Sequence, residues 1–382
     1  MRLDRKDMKR INRNAIFQYI RSREHQVVSC VQISRDTKIS LPTVLKHVDY
    51  FEKLNILKGI GTQEVSGAGR KPTLLEFMPD AFCTLGVAFD GKYLECVCVN
   101  LNYEVLYSRR EALTCTIHQL LAREIPVRLK TFITDCGIAP DTIISIGLAL
   151  PAAVDTNRYQ TTTPSPLIGL EANHDFKEQF DELTARFGCP VLIENDVNAA
   201  AIGEFKERLL TSRDDLVYIT LGTGIGSGIV LNGKIRRGKN FAAGEIANFI
   251  FGDALHHEGA TAEALLTPGR ISSQFHYDIY EPPRPESQVL KIRVADYIAR
   301  HLAGIIMNME SVLNVNHFVL GGFVTEHLGE SMLEFLHQYL SSSGFGHLDV
   351  APVSSLFATS KGAGSLASDK ALDYILTRDD PE

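Results

Sequence analysis

Apolar residues in the first fifty positions recur at helical spacing, and from about residue 80 they change to the alternating or continuous runs of strands. Ile11, Ala15, Phe17 and Ile20 predict one amphipathic helix. Ser29 is placed to cap a second through about Thr37, with Val31 and Ile33 as its apolar contacts. Ser40 is placed to cap a third, with Pro42 in the first turn where no N–H is missed and Leu41, Val44, Val48 and Phe51 as its inward stripe. That spacing leaves Thr43, Lys46, His47 and Tyr50 facing out. Residues 57–64 and 73–77 read as two strands around Val65-Ser66-Gly67-Ala68-Gly69-Arg70-Lys71-Pro72, where Gly67 and Gly69 let the backbone approach a neighbour closely.

The rest of the chain alternates strands and helices: a hairpin over 83–99, a helix over 117–136, a buried strand over 143–150 ending at Pro151, and another over 191–194. Residues 217–221 and 227–230 bracket a glycine-rich turn, and helices follow at 293–313 and near the C-terminus. This predicts an α/β body of two lobes. No internal repeat is legible, and Tyr280-Glu281-Pro282-Pro283-Arg284-Pro285 reads as a stiff surface connection.

A length of 382 residues allows two or three domains, and 45% hydrophobic with 22% charged residues is ordinary for a soluble globular chain. The apolar runs fall short of the ~20 residues a membrane span needs, and the first twenty residues are charged, so a cytoplasmic chain with no membrane insertion is expected. Cys96 and Cys98 alternate with Val97 and Val99 as one face of a strand, so the seven cysteines read as buried free thiols. Charge is more discriminating once it is divided. Residues 1–72 carry fifteen Lys and Arg against seven Asp and Glu, whereas the remaining 310 residues sum to −15 within a total of −7. A polyanion is drawn to the first segment and repelled by the second.

A helix-turn-helix pattern in a basic segment points to DNA. Its last helix would offer Thr43 and Lys46, and less directly His47, to base edges in the major groove; the bland alternative for each is a plain surface residue. The hairpin after it would be a wing, with Arg70 and Lys71 reaching a narrow minor groove or its phosphates, unless it is only a linker with two charges.

The stretch Gly67-Ala68-Gly69-Arg70-Lys71-Pro72 between such a unit and an α/β body resembles the ROK family (repressors, open reading frames, kinases), although Lys38 stands where turns of this kind often carry Gly. The resemblance runs from about residue 10 to Lys361-Gly362-Ala363-Gly364-Ser365-Leu366. It implies a winged helix-turn-helix at 1–78, a first lobe of an actin-like (ribonuclease H-like, sugar-kinase) body at 79–195 joined by a C-terminal helix at 357–378, and a second lobe at 196–356. Glu194-Asn195-Asp196-Val197-Asn198 follows a buried strand, the usual ligand side of an α/β sheet, and resembles the segment whose Asn and Asp bind sugar hydroxyls. Asp196 is the equivalent of the kinase base; helix capping is the alternative role for Asn195 or Asp196. Gly244-Glu245-Ile246-Ala247-Asn248 resembles the family's E-x-G-H motif with Asn248 in place of His, and Glu263 matches a second sugar-binding Glu. The resemblance thus implies Asn195, Asp196, Glu245, Asn248 and Glu263 as sugar contacts.

Two departures shape the functional expectation. Leu85-Gly86-Val87-Ala88-Phe89-Asp90-Gly91-Lys92 stands where the family's kinases carry an Asp and a Gly-Gly-Thr phosphate turn, so Asp90 would meet nucleotide phosphates with a carboxylate. Leu221-Gly222-Thr223-Gly224-Ile225-Gly226-Ser227-Gly228 and Leu320-Gly321-Gly322-Phe323 resemble the second phosphate loop and the adenosine-side turn, kept here as fold elements. The family's zinc-binding His is Asn248 and its three cysteines are missing, so no cofactor is expected; His256, His257 and Glu258 read as a solvated loop rather than a rebuilt metal site. The expectation is a transcriptional regulator, a repressor of carbohydrate uptake or metabolism genes and not an enzyme. Its partners would be a palindromic operator DNA, a sugar or sugar-phosphate effector, and copies of itself in a homodimer or homotetramer. The alternatives are a regulator with a decayed pocket answering to a protein partner, and an active sugar kinase with an added DNA-binding unit.

Overall fold

The computed structural model describes residues 5–23, 26–62, 73–165, 168–252, 260–281 and 287–377. The N-terminal unit holds α1 (Arg5–Arg21), β1 (Val28–Ser29), α2 (Cys30–Thr37), α3 (Leu41–Lys53), β2 (Leu57–Thr62) and β3 (Thr73–Phe77). Ser29 caps α2 by accepting from the Gln32 amide at 3.3 Å. Lys38 ends α2 at φ 60, so the turn into α3 takes a left-handed residue without using glycine. The three strands pair antiparallel in the order β1-β3-β2, and Phe17 of α1 packs between Phe51 and Phe77 with ring centroids 6.1 Å from each.

The body begins with β4 (Cys83–Phe89), β5 (Tyr93–Asn100) and β6 (Val105–Ala112), an antiparallel meander. A helical stretch follows as α4 (Ile117–Gln119), a π-helical turn at Leu120–Glu124, and α5 (Ile125–Cys136). Pro126 cannot donate to a carbonyl one turn back, and beside it the Ile125 amide reaches Leu120 in the wider π pattern. Next come β7 (Ile143–Leu150), the small hairpin β8 (Val154–Asp155) and β9 (Gln160–Thr161), α6 (Lys177–Phe187), β10 (Val191–Asn195) and α7 (Asp196–Glu207). The second half runs through β11 (Leu216–Leu221), β12 (Ile225–Leu231), β13 (Lys234–Ile235), β14 (Ile250–Phe251), β15 (Ala260–Thr261), α8 (Ala262–Leu266), α9 (Pro268–Phe275), α10 (Gln288–Leu313), β16 (His317–Gly321), α11 (Phe323–Leu328), α12 (Glu330–Ser342), β17 (Asp349–Pro352) and α13 (Ala358–Thr377).

The sheets have one plan. In the order β10-β7-β4-β5-β6, an antiparallel meander is extended by two parallel strands; β13-β12-β11-β16-β17 repeats that arrangement. The helices after the last strand of each sheet, α7 and α13, cross in close contact. A Cβ on Gly362 would lie 1.7 Å from the Ala199 carbonyl oxygen, and one on Gly203 would lie 2.0 Å from that of Ala358, so only glycine permits this approach.

The C-terminal helix also changes which residues of the N-terminal unit are inside. Ile11 and Ala15 of α1 are exposed while Arg13 and Ile16 are buried; Val31 and Leu41 are exposed as well. His47 and Tyr50, expected on the outward face of α3, are 3% and 2% exposed. For Tyr50 the reason is a second packing face: its hydroxyl donates to the Ile375 carbonyl at 2.6 Å, Arg13 donates to that of Leu376 at 3.3 Å, and the Arg13 guanidinium lies 3.5 Å from the Tyr50 ring centroid. A periodicity argument for α3 alone sees one core and cannot see α13.

Candidate functional site

Parallel strand β10 delivers Asn195 to its carboxyl end, where Asn195 caps α7 with an extended backbone at φ −67 and ψ 142. Its Oδ1 accepts from the Asn198 amide at 3.0 Å, and its Nδ2 donates to the Ala152 carbonyl at 3.2 Å and to Asp196 Oδ1 at 3.1 Å. Capping and site-building are thus one act, because the cap holds the neighbouring carboxylate. Asp196 also accepts from the Val197 amide at 2.8 Å. Burial pushes its pKa up to about 7 against these backbone hydrogen bonds, and the negative charges of Asp90 and Glu245 push the same way. Those two groups come from opposite halves of the body, so Asp196 stands between them.

Glu245 begins a 3-10 turn, Ile246–Asn248, after Gly244 at φ 92. Ser227 fixes that turn by donating its amide at 3.0 Å and its hydroxyl at 2.9 Å to the Gly244 carbonyl. Burial and the nearby charge of Glu263 raise the Glu245 pKa. Glu263, in the first turn of α8, accepts from the Ile225 amide at 3.1 Å and lies beside Gly224. Asp196, Glu245 and Glu263 are therefore brought together with Asn195 behind them, and Asn248 is exposed on the same 3-10 turn as Glu245. Acceptors of this kind suit hydroxyl-bearing ligands.

The glycine-rich turn of the second half is lidded. Phe323 approaches Gly222, and Tyr280 stacks on Phe323 at 5.0 Å with Lys92 Nζ 5.6 Å from the Tyr280 centroid. In the equivalent turn of the first half, Asp90 folds back on its own backbone and accepts from the amides of Lys92 at 2.8 Å and Tyr93 at 2.7 Å. The Asp90 carboxylate thus engages two amides of its own turn. Glu95 nearby is pushed up to about 7 by burial, with Arg110 opposing and Asp90 and Glu326 adding to the rise.

Sequence reasoning missed the support for Asp196. Glu194, nearly buried, accepts from Arg237 Nε at 3.0 Å and from Asn198 Nδ2 at 3.2 Å, which ties the second half to the end of β10. An acid inside the Glu194-Asn195-Asp196 run was the available signal. A cavity of about 300 Å³ behind this pair reaches Asp369 and Lys370 of α13. The contact among Tyr280, Phe323 and Lys92 was not legible in sequence, because the three lie on separate segments.

Of the DNA candidates, Thr43 is half-buried with its hydroxyl 2.8 Å from that of Ser40, Lys46 is exposed, and His47 is buried, a position from which it cannot read a base. Arg70 and Lys71 lie outside the described residues, as do His256, His257 and Glu258. The donor set does not fit the zinc site of the resembled family: Asn248 replaces its His and Cys189 is the last cysteine of the chain.

Comparison with known proteins matches the ROK family to residues 84–257. Residues 84–257 thus resemble a ROK family domain, and the chain is similar to both regulators and kinases. It is 26% identical over 245 residues to a xylose repressor of Bacillus spizizenii, a match spanning 64% of this chain and 62% of that relative, and 30% identical over 189 residues to a glucokinase of Halalkalibacterium halodurans, spanning 42% and 57%. Among solved structures, a ROK family transcriptional regulator described as a homologue of the E. coli MLC protein superposes with TM-score 0.74 over 97% of this chain and 98% of its own, at 19% identity. A ROK hexokinase from Thermus thermophilus covers 76% of this chain and all of its own, with TM-score 0.58 and 22% identity. The fold is that of the ROK actin-like sugar kinases. No helix among the described residues is long and apolar enough to cross a membrane.

Proposed function

We propose that this chain is a sugar-responsive transcriptional regulator, a repressor of carbohydrate uptake or metabolism genes that acts in the cytoplasm. The observation that carries the reading is the mounting of the N-terminal helices, with Lys46 exposed on α3, on a body that brings Asp196, Glu245 and Glu263 together beside the Asn195 cap. The relatives named as repressors support it. In this reading residues 1–78 are a winged helix-turn-helix, Thr43 and Lys46 meet the major groove, and Arg70 and Lys71 form the wing. Residues 79–195 with 357–378, and 196–356, are two lobes that close on a sugar or sugar phosphate touching Asn195, Asp196, Glu245, Asn248 and Glu263. The switch requires the ligand to bind one lobe arrangement more tightly than the other. A homodimer or homotetramer would bind a palindromic operator.

Phosphoryl transfer is not part of the proposal, since Asp90 engages the amides of its own turn. A second reading, control by a protein partner, has one observation in its favour: Glu263 is committed to the Ile225 amide while Asn248 faces solvent. Two measurements separate these readings. Selection of the full chain on randomised duplex DNA should enrich a palindrome, and a thermal-shift screen of sugars and 6-phosphosugars should give a rise set by ligand excess over Kd. Failure to enrich any duplex sinks the regulator; enrichment with a flat sugar screen favours the partner.

A further inference from the structure

Among the described residues the N-terminal unit shares an apolar core with Leu101, Leu372 and Leu376 of the body, and two polar anchorages flank that core. One is the C-terminal end of α13, gripped by Arg13 and Tyr50. The other is Tyr103, in the turn between β5 and β6. Arg21, the last residue of α1, donates to the Tyr103 hydroxyl at 2.7 Å, and that hydroxyl donates to Asp369 of α13. Lys206, in the last turn of α7, reaches Asp369 at 3.4 Å and lies 4.2 Å from the Tyr103 ring centroid, while the Arg21 guanidinium lies 4.6 Å from it. One aromatic ring is thus shared by two cations from two helices.

Tyr103 holds this place at φ 63, a left-handed conformation that a bulky residue rarely adopts. The turn is built to keep it there: Asn100 donates to Asp80 and to Glu104, each at 2.8 Å, and accepts from the amides of Asn102 and Glu104. Burial lowers the pKa of Lys206 while Asp369 opposes that loss. Helix α7 starts at Asp196 and reaches Lys206 about 15 Å later along its axis. It crosses α13 on small residues, and the cavity beside Asp369 leaves room on that side.

We infer that Tyr103 is a latch through which α7 sets the position of the N-terminal helices, with the end of α13 as the pivot. Tyr103, Lys206 and Asp369 are positioning residues, since none belongs to the sugar-binding or DNA-reading sets. A displacement of α7 at its Asp196 end moves Lys206 against Tyr103 and shifts the seat of Arg21. The Tyr50 hydroxyl and Arg13 hold the end of α13 instead, which serves as the pivot. This regulatory role rests on the proposed reading of the cleft; the mechanical link does not.

Hydrogen exchange of the full chain, read by mass spectrometry, tests the link without sugar or DNA. Lys206→Met should speed exchange along α1 about tenfold, the loss of one charge-assisted hydrogen bond. Arg21→Leu should do the same in the last turn of α7, and the double variant should match either single one. Tyr103→Phe keeps the ring and removes both hydroxyl bonds, so it should loosen both helices while the melting of the body is unchanged; it serves if Lys206→Met fails to fold. Effects confined to the mutated helix, or multiplying in the double variant, would overturn the latch. Coupled helices with a flat sugar screen would support the latch while refuting the sugar reading. A sugar response with uncoupled helices would refute the latch alone.

Discussion

Tyr50, on the helix that carries Lys46, donates its hydroxyl to the Ile375 carbonyl at 2.6 Å, so the last turn of the C-terminal helix seats the proposed DNA-reading helix. Tyr50→Phe keeps the ring over which Arg13 lies but leaves that carbonyl without this donor. The expected cost is about 1–2 kcal/mol, felt by the N-terminal unit. Limited proteolysis should cut within residues 5–62 sooner than in the wild type while the body resists as before. Equal cutting rates would show that the hydroxyl does not hold the unit.

Base reading on α3 should divide by exposure. Lys46→Ala should weaken operator binding, change sequence preference and reduce the salt slope by about one, whereas Arg70→Ala should weaken binding across all sequences. His47→Ala should lower stability instead, because the ring is buried. Anisotropy titrations at several salt concentrations, with melting curves beside them, separate these effects. Normal melting with altered base preference in His47→Ala would reverse the assignment.

The contrast between His47 and Lys46 shows where sequence reading stopped. Period 3.6 correctly placed Val44, Val48 and Phe51 inside, and strand patterning located the strands around 83–99, 143–150 and 191–194. It could not foresee that Tyr50 lies on a second buried face, since the covering helix is more than three hundred residues away in sequence, nor that His47 is buried. The duplicated sheet plan was hidden for a related reason: backbone pairing repeats while side chains diverge, so only the register displays it. Asn195, Asp196, Glu245 and Glu263 were legible as candidates because each sits in a short motif, and the fold brings Asp196, Glu245 and Glu263 near one another, while their contact with a sugar belongs to the proposal. The Arg237 support and the Tyr280–Phe323 stack were not legible, because they join segments by contact alone.

Nucleotide chemistry should be absent for a reason that a variant can probe. The amides of Lys92 and Tyr93 are held by Asp90, and the charges of Asp90 and Glu326 help to raise the pKa of nearby Glu95. The wild type is expected to release no ADP in a sugar-dependent manner, and Asp196→Asn to leave that baseline where it was. Asp90→Gly frees both amides and should bind magnesium-ATP more tightly than the wild type by calorimetry. Sugar-dependent ADP release by the wild type, lost in Asp196→Asn, would restore the kinase reading.

Stability should fall as pH rises through neutrality, the reverse of the usual behaviour of paired carboxylates. Asp196 and Glu95 are each pushed up to about 7, chiefly by burial, from unfolded values of about 4. Between those limits the native state retains protons the unfolded chain has released, so the contribution is complete below about pH 4 and is lost as pH climbs to about 7 and just beyond. Asp196→Asn removes one of the two titrations and should flatten the fall by a few kcal/mol at most, leaving the variant more stable than the wild type at pH 8. Glu95→Gln should flatten the remainder. The same deprotonation turns Asp196 into a full acceptor, so hydroxyl binding should strengthen over the window in which stability declines. Denaturant melts of the three proteins from pH 5 to 8 decide the matter: parallel curves for wild type and Asp196→Asn would mean that Asp196 is already ionised at pH 5, and that solvent or a neighbouring donor reaches it despite its burial.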